Sequence, residues 1–187
     1  MYRAGEPIIL NKRTPGGGGF SPEVAQQITD VCADTGIKMV ATLPDDWIAE
    51  CIEAFSHDER FVQIPVNREE SAIGLCSGAF FTGTGSMALM GASGLTTVIY
   101  AVTKINYTYE IPIFIMVTDR GSIDDGAKFQ ISNGFYLHSL MQAINLPFVV
   151  IDSQEKLPLI ADAYKHSRKI NRATVALLSK KLLQGKA

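Results

Sequence analysis

Two adjacent carboxylates, Glu69 and Glu70, stand between an apolar run that ends at Val66 and an uncharged stretch of small and apolar residues, 71–83. Arg68 precedes them. The spacing places both acids in the first turn of a helix, where the backbone dipole favours negative charge by about 0.3–1 kcal/mol. That accounts for acids at the position but not for the helix body. Gly74 and Gly78 each cost about 1 kcal/mol against alanine in a helix, so this many small residues (Ser71, Ala72, Gly74, Ser77, Gly78, Ala79) points to close packing against another backbone, within the fold or across subunits. A carboxylate presented from a close-packed, dry element would have its pKa raised and could share a proton.

Other motifs are poorer candidates for chemistry. Gly83, Gly85 and Ala88 match a loose G-x-G-x-x-A dinucleotide fingerprint, but these glycines end a helix and open a strand, the reverse of the required order. The glycine run at 16–19 has no following G-K-[ST]. Cys76 falls mid-helix among small residues, as a packed, inert thiol would, and no G-x-S-x-G elbow is present. The three histidines, His57, His138 and His166, are isolated, so no metal ligands are assigned to this chain.

The elements that position Glu69 follow from periodicity. Ser21, Pro22 and Glu23 give a cap, a first-turn proline and a first-turn acid, opening a helix that runs to about residue 35 and stops at Gly36. Strands are expected at 37–43, 61–66, 86–92, 111–118, 147–152 and 173–179. Helices fall between them, at 45–55, 69–83, 94–106, 134–144 and 154–169, with an irregular polar loop at 120–132. This alternation predicts an α/β fold: a six-stranded, mostly parallel sheet with helices on both faces, flavodoxin-like. Residues 1–20 read as a flexible arm and Gly-rich linker, and residues 21–187 as one domain.

A net charge of −2 with scattered basic residues argues against nucleic acid or an anionic membrane as partner. The lysines near the carboxyl end read as a solvated face or tail. Three widely spaced cysteines suit reduced thiols in the cytoplasm, and no segment resembles a signal peptide or a membrane span.

In open parallel sheets, ligands bind beyond the carboxyl ends of the strands. The segments expected there are Pro44, Asp45 and Asp46; Arg68 to Glu70; Ala92 to Leu95; and Asp119 to Gly121. Four polar or glycine-bearing segments on one rim favour a site on that rim.

In order and spacing, Arg68-Glu69-Glu70, the Gly74 to Gly78 helix, Ser93-Gly94-Leu95, Ile111-Pro112-Ile113 and Arg120-Gly121 resemble the pyrimidine-binding domain of thiamine diphosphate enzymes. Within that class the chain most resembles the alpha subunit of sulfopyruvate decarboxylase and its phosphonopyruvate decarboxylase relatives, over about residues 23–152. It implies that Glu69 hydrogen-bonds N1′ of the cofactor's aminopyrimidine, that Ser93, Gly94 and Leu95 line the ring, and that Asp46 relays protons or caps the following helix. Arg120, or else Arg68, would clamp an anionic 3-substituted pyruvate such as sulfopyruvate or phosphonopyruvate. Glu70 would be a first-turn or interface carboxylate.

The family's G-D-G…N signature for Mg2+ and diphosphate is absent from the sequence. The resemblance therefore implies a beta subunit that holds Mg2+, in a hetero-oligomer with even copies of each subunit. The turn after Leu95 departs from the family pattern, reading Thr96-Thr97, and little of the 120–132 loop is kept. Carboligation or lysis of another 2-oxo acid, and a non-catalytic scaffolding or regulatory role, therefore remain alternatives at this level.

Overall fold

The computed structural model describes residues 19–186. Most of the arm and Gly-rich linker, residues 1–18, lies outside the described residues.

Six short strands form one sheet: β1 (Met39–Thr42), β2 (Val62–Pro65), β3 (Ser86–Met90), β4 (Phe114–Thr118), β5 (Phe148–Ile151) and β6 (Thr174–Leu178). Their spatial order is β2-β1-β3-β4-β6-β5, and every pairing is parallel. β3, β4 and β6 are buried along their whole length, as the unbroken apolar runs in the sequence require of strands covered on both faces. The outer strands β2 and β5 are only partly covered.

Alternate residues feed two cores. Met87 and Leu89 of β3, with Phe114 and Met116 of β4, pack under α1 (Pro22–Asp34), α2 (Ala49–His57), α9 (Pro158–Ile170) and α10 (Lys180–Leu183). Ala88, Met90, Ile115 and Val117 point the other way, under α3 (Glu69–Phe81), α4 (Ala92–Thr97), α5 (Ile99–Ala101) and α8 (Asn133–Ala143). α6 (Tyr107–Tyr109) and α7 (Lys128–Ile131) are single turns.

The helix expected at 21–35 opens as its residues require. The Ser21 hydroxyl accepts the Val24 amide at 3.3 Å, and Gly36 exits with a positive φ of 91°. The expected 94–106 helix is instead broken into α4, α5 and a π-helical turn at Val102–Asn106. Thr97 and Thr103 hydroxyls bond back to the Gly94 and Ile99 carbonyls, a competition that loosens helices. Lys181 and Lys186 are exposed, as a solvated face requires, but residues 180–183 form a docked helix and not a tail. Ser179 caps α10 through the Leu182 amide, and Leu182 and Leu183 enter the core.

Candidate active site

The strand order reverses around β1. From β1 the chain passes through α2 on one face to β2, then back through α3 on the other face to β3. Helices leaving on opposite faces open a crevice beyond the carboxyl ends of β1 and β3. The residues filling its mouth are Pro44 to Trp47, Arg68 to Glu70, and the 91–94 turn that starts α4.

That turn is gripped at each of its four residues by a different element. A Cβ on Gly91 would lie 2.6 Å from Asp45 Oδ2, so the carboxylate occupies the space a side chain would fill. The Ala92 amide donates to Thr118 Oγ1 at the end of β4, at 3.0 Å. The Ser93 hydroxyl donates to Gln130 Oε1 and accepts from Asn133 Nδ2, both at 3.3 Å. A Cβ on Gly94 would lie 2.7 Å from Glu69 Cγ and 2.8 Å from Oε1. Glu69 therefore rests directly on backbone, at the switch in strand order.

Adding a methyl group at Gly94 tests that seat. In Gly94→Ala the Glu69 carboxylate must move, and misplacing a reacting group by about 1 Å costs about 10²-fold in rate. Melting should stay at or slightly above the wild-type temperature, because alanine is the better helix former. Steady-state kinetics alongside thermal melts check both halves.

Glu69 and Glu70 are half-buried at the protruding first turn of α3, not enclosed as a buried helix would have them. The small residues divide by face. Ala72, Cys76, Ser77 and Ala79 pack inward, while Ser71, Gly74, Leu75 and Gly78 form an open stripe, and a Cβ on either glycine would touch nothing in the described chain. Among the described residues, nothing packs closely on that face.

Arg68 sits at the helix entrance with its side chain 72% exposed and a loose 3.6 Å pair to Glu70. Such pairs contribute at most about 1 kcal/mol. Leu95 is buried in the second core, so only its backbone can face the crevice. Ser93 is exposed at the rim and Gly94 is buried.

Two expectations need correcting. Asp46 is exposed and caps nothing, since α2 begins at Ala49 without a side-chain cap. Its neighbour Asp45 accepts the Trp47 amide at 3.0 Å. Nor is Arg120 poised as a substrate clamp. Its side chain is 2% exposed, and its Nε and Nη2 donate to the two Asp125 oxygens at 2.8 and 3.1 Å. Nη1 lies 3.5 Å from Asp45 Oδ1, and the guanidinium stacks on Trp47 at 4.0 Å. Each nitrogen of the fork thus has a carboxylate neighbour. The physical reason is that β4 delivers residue 120 into the interior, from where its side chain reaches past the end of β3 to the segment that follows β1.

Asp45, Asp125, Thr118, Gln130 and Asn133 were missed as contributors. For Asp45 a signal existed, because an Asx residue two positions before an amide is the spacing of an Asx-turn. The others join the site across the sheet, and local sequence carries no mark of that. Gly83, with φ 71°, ends α3, and Gly85 precedes β3 where a Cβ would collide with the Gly36 carbonyl, so the loose fingerprint is spent on helix exit and packing. Burial pushes the Cys51 and Cys76 thiols up to about 12, as inert packed residues.

Asp45 and Asp125 titrate in opposite directions. Burial raises the Asp45 carboxyl above its ordinary value, against the Trp47 amide and Arg120. Burial also opposes charge at Asp125, but the Arg120 hydrogen bond and the Gly121 and Ala127 amides outweigh it and lower its pKa. The stability from Asp125 is therefore complete above the unfolded value near ~3.9 and lost as pH falls through its lower folded value. The stability tied to the Asp45 proton is present at low pH and lost as pH rises through its raised value. Urea denaturation from about pH 3 to about pH 7 should show a flatter acid limb for Asp125→Asn and a steeper one for Asp45→Asn.

Among the described residues, no group of three or more His, Cys, Asp or Glu side chains could hold a metal ion, and no helix is long and apolar enough to cross a membrane.

These features define a doubly wound α/β domain with an acid-bearing crevice at its switch point. The same fold occurs in 2-oxoglutarate:ferredoxin oxidoreductase from Magnetococcus marinus, with a TM-score of 0.70 at 14% identity over 86% of this chain and 29% of that one. No protein-family model matches the chain. Sulfopyruvate decarboxylase subunit alpha of Methanococcus maripaludis is 30% identical over 146 residues, which cover 78% of this chain and 87% of that one. Sulfopyruvate decarboxylase of Methanosarcina acetivorans is 32% identical over 157 residues, 84% of this chain but only 40% of the length of that relative. The chain belongs to the family of sulfopyruvate decarboxylase alpha subunits.

Proposed function

We propose that this chain is the pyrimidine-binding alpha subunit of a two-subunit thiamine diphosphate-dependent decarboxylase. Its substrate is an anionic 3-substituted pyruvate, sulfopyruvate first, with phosphonopyruvate of the same class. The observation that carries the reading is the seat of Glu69 on the Gly94 backbone at the switch-point crevice. A carboxylate seated on the glycine backbone of a turn of small residues fits the edge of a flat heteroaromatic ring, so the residues present suit the aminopyrimidine.

When bound, the cofactor supplies an electron sink for the pair released as carbon dioxide leaves. The chain's own residues bind and orient. Glu69 holds the proton shared with the ring nitrogen N1′, where a positioned carboxyl contributes about 10²–10⁴-fold. Backbone at Ser93, Gly94 and Leu95 lets the ring approach. With Arg120 committed to Asp125, the exposed Arg68 beside Glu69 is the better placed of the two candidate guanidiniums for the substrate's anionic tail. Asp46, exposed at the crevice mouth, is placed to exchange protons with solvent and substrate.

Mg2+ and the diphosphate fall to a beta subunit. Several relatives are named as alpha subunits. The open stripe of Ser71, Gly74, Leu75 and Gly78 on α3 lets a partner backbone approach closely, completing the drying of Glu69. Even copies of each subunit fit this arrangement. The buried, unpaired Cys32, Cys51 and Cys76 support a cytoplasmic location.

Co-expression with a partner bearing the metal and diphosphate signature tests the proposal. Carbon dioxide release is measured with thiamine diphosphate and Mg2+ on sulfopyruvate, phosphonopyruvate and pyruvate. Fastest release from sulfopyruvate is expected. A stable complex that releases none from any 2-oxo acid overturns the reading.

A further inference from the structure

The Asp45–Arg120–Asp125 cluster is a costly way to fasten a loop. Its side chains are 7%, 2% and 0% exposed. Two carboxylates face one guanidinium, and Lys180, which contacts Asp124 and lies 5.6 Å from the Trp47 ring, stays at the edge. Replacing buried ion pairs by apolar side chains is often neutral or stabilising, so stability alone does not explain the arrangement. Its location is more informative. Asp125 receives the Gly121 and Ala127 amides at 3.0 Å each and so organises the 121–127 loop around itself. Arg120 then carries that loop to Asp45, 75 residues earlier in the chain. Asp45 in turn fills the space beside Gly91, at one end of the turn whose other end seats Glu69.

We infer that Asp45 is a positioning residue of this crevice. Its carboxylate sets the 91–94 turn on one side and, through Arg120, the 121–127 loop on the other, so the loop forms a fixed wall of the site that Glu69 serves. The inference rests on the reading of Glu69 given above. Asp45 acts through the turn and the loop, with no contact of its own to the reacting atoms.

The test uses the full chain assembled with its partner subunit and compares Asp45→Asn, Asp45→Ala, Asp46→Asn and Glu69→Gln. Asp45→Asn keeps the side-chain volume and an acceptor for the Trp47 amide, so it should fold. Hydrogen exchange read by mass spectrometry is expected to accelerate by about tenfold or more in peptides spanning 91–94 and 121–127, with β3 and β4 amides unchanged. Trp47 is the sole tryptophan and lies under Arg120, so its fluorescence should shift in the same variants. Affinity for thiamine diphosphate and KM for the 2-oxo acid should weaken by about tenfold in Asp45→Asn, more than kcat falls.

Exchange in both segments within about twofold of wild type overturns the inference. So does uniform acceleration through the sheet, which marks a purely structural role. Glu69→Gln separates the two readings. If it retains turnover, the role given to Glu69 fails, while the exchange data still judge Asp45.

Discussion

Turnover of the assembled enzyme is expected to fall by about 10²-fold or more in Glu69→Gln, with folding unaffected. Glutamine keeps the shape of the side chain and its seat on Gly94, but it cannot exchange a proton with a ring nitrogen. Any loss therefore belongs to chemistry and not to packing. The half-buried position at the first turn of α3 predicts the accompanying null result in melts, since no core contact is removed. Losing the favourable dipole interaction costs only about 0.3–1 kcal/mol. Glu69→Asp sharpens the point. It keeps the charge but withdraws the carboxyl by one methylene, and a misplacement of about 1 Å is itself worth about 10²-fold. Stopped-flow or coupled measurement of carbon dioxide release, with circular dichroism melts, checks these values. Turnover of Glu69→Gln within about twofold of wild type would remove Glu69 from the mechanism.

The second large effect falls on stability. Arg120→Ala leaves the buried Asp125 carboxylate and its neighbour Asp45 without their cation. Breaking one side of a buried pair costs about 3–5 kcal/mol. For a domain of this size each kcal/mol lowers Tm by about 2–4 °C, so a drop of about 6–20 °C is expected. Loss of the guanidinium stacked at 4.0 Å over Trp47 adds to it. Neutralising the whole cluster should behave differently. Arg120→Met combined with Asp45→Asn and Asp125→Asn removes the stranded charges and should recover most of the loss, because buried ion pairs and apolar replacements of similar volume are close in stability. Calorimetric melts of the single and triple variants decide this. A single variant within about 2 °C of wild type would show that the cluster is not buried as described.

The backbone plan of this protein was legible from local pattern. Alternating apolar runs and amphipathic stretches give the order of elements, because the period of side-chain burial is set by the residue's own strand or helix. Glycines at 36 and 83, both with positive φ, mark the exits of α1 and α3. Ser21 and Pro22 mark an entrance. The choice of Glu69 over Glu70 came from motif resemblance. The seat on Gly94 then supplied a geometric reason, since it is Glu69 that lies against the Gly94 backbone while Glu70 reaches back toward Arg68.

What only the tertiary structure decided was the use of each rim residue. Pairings such as Asp45 with Arg120 or Ser93 with Asn133 join residues 75 and 40 apart, and they depend on strand order, which periodicity does not encode. The same is true of Arg120, whose charge suggested a surface role until β4 placed it against Trp47. Sequence by itself determined a parallel α/β domain with an acid at a helix mouth. The sheet order then made that mouth a crevice, buried the Asp45 side chain while leaving Asp46 exposed, and paired Arg120 with Asp125 in the interior. The physical reason is that burial period is local to an element, whereas electrostatic partnership follows from the order in which the strands bring distant segments to one end of the sheet.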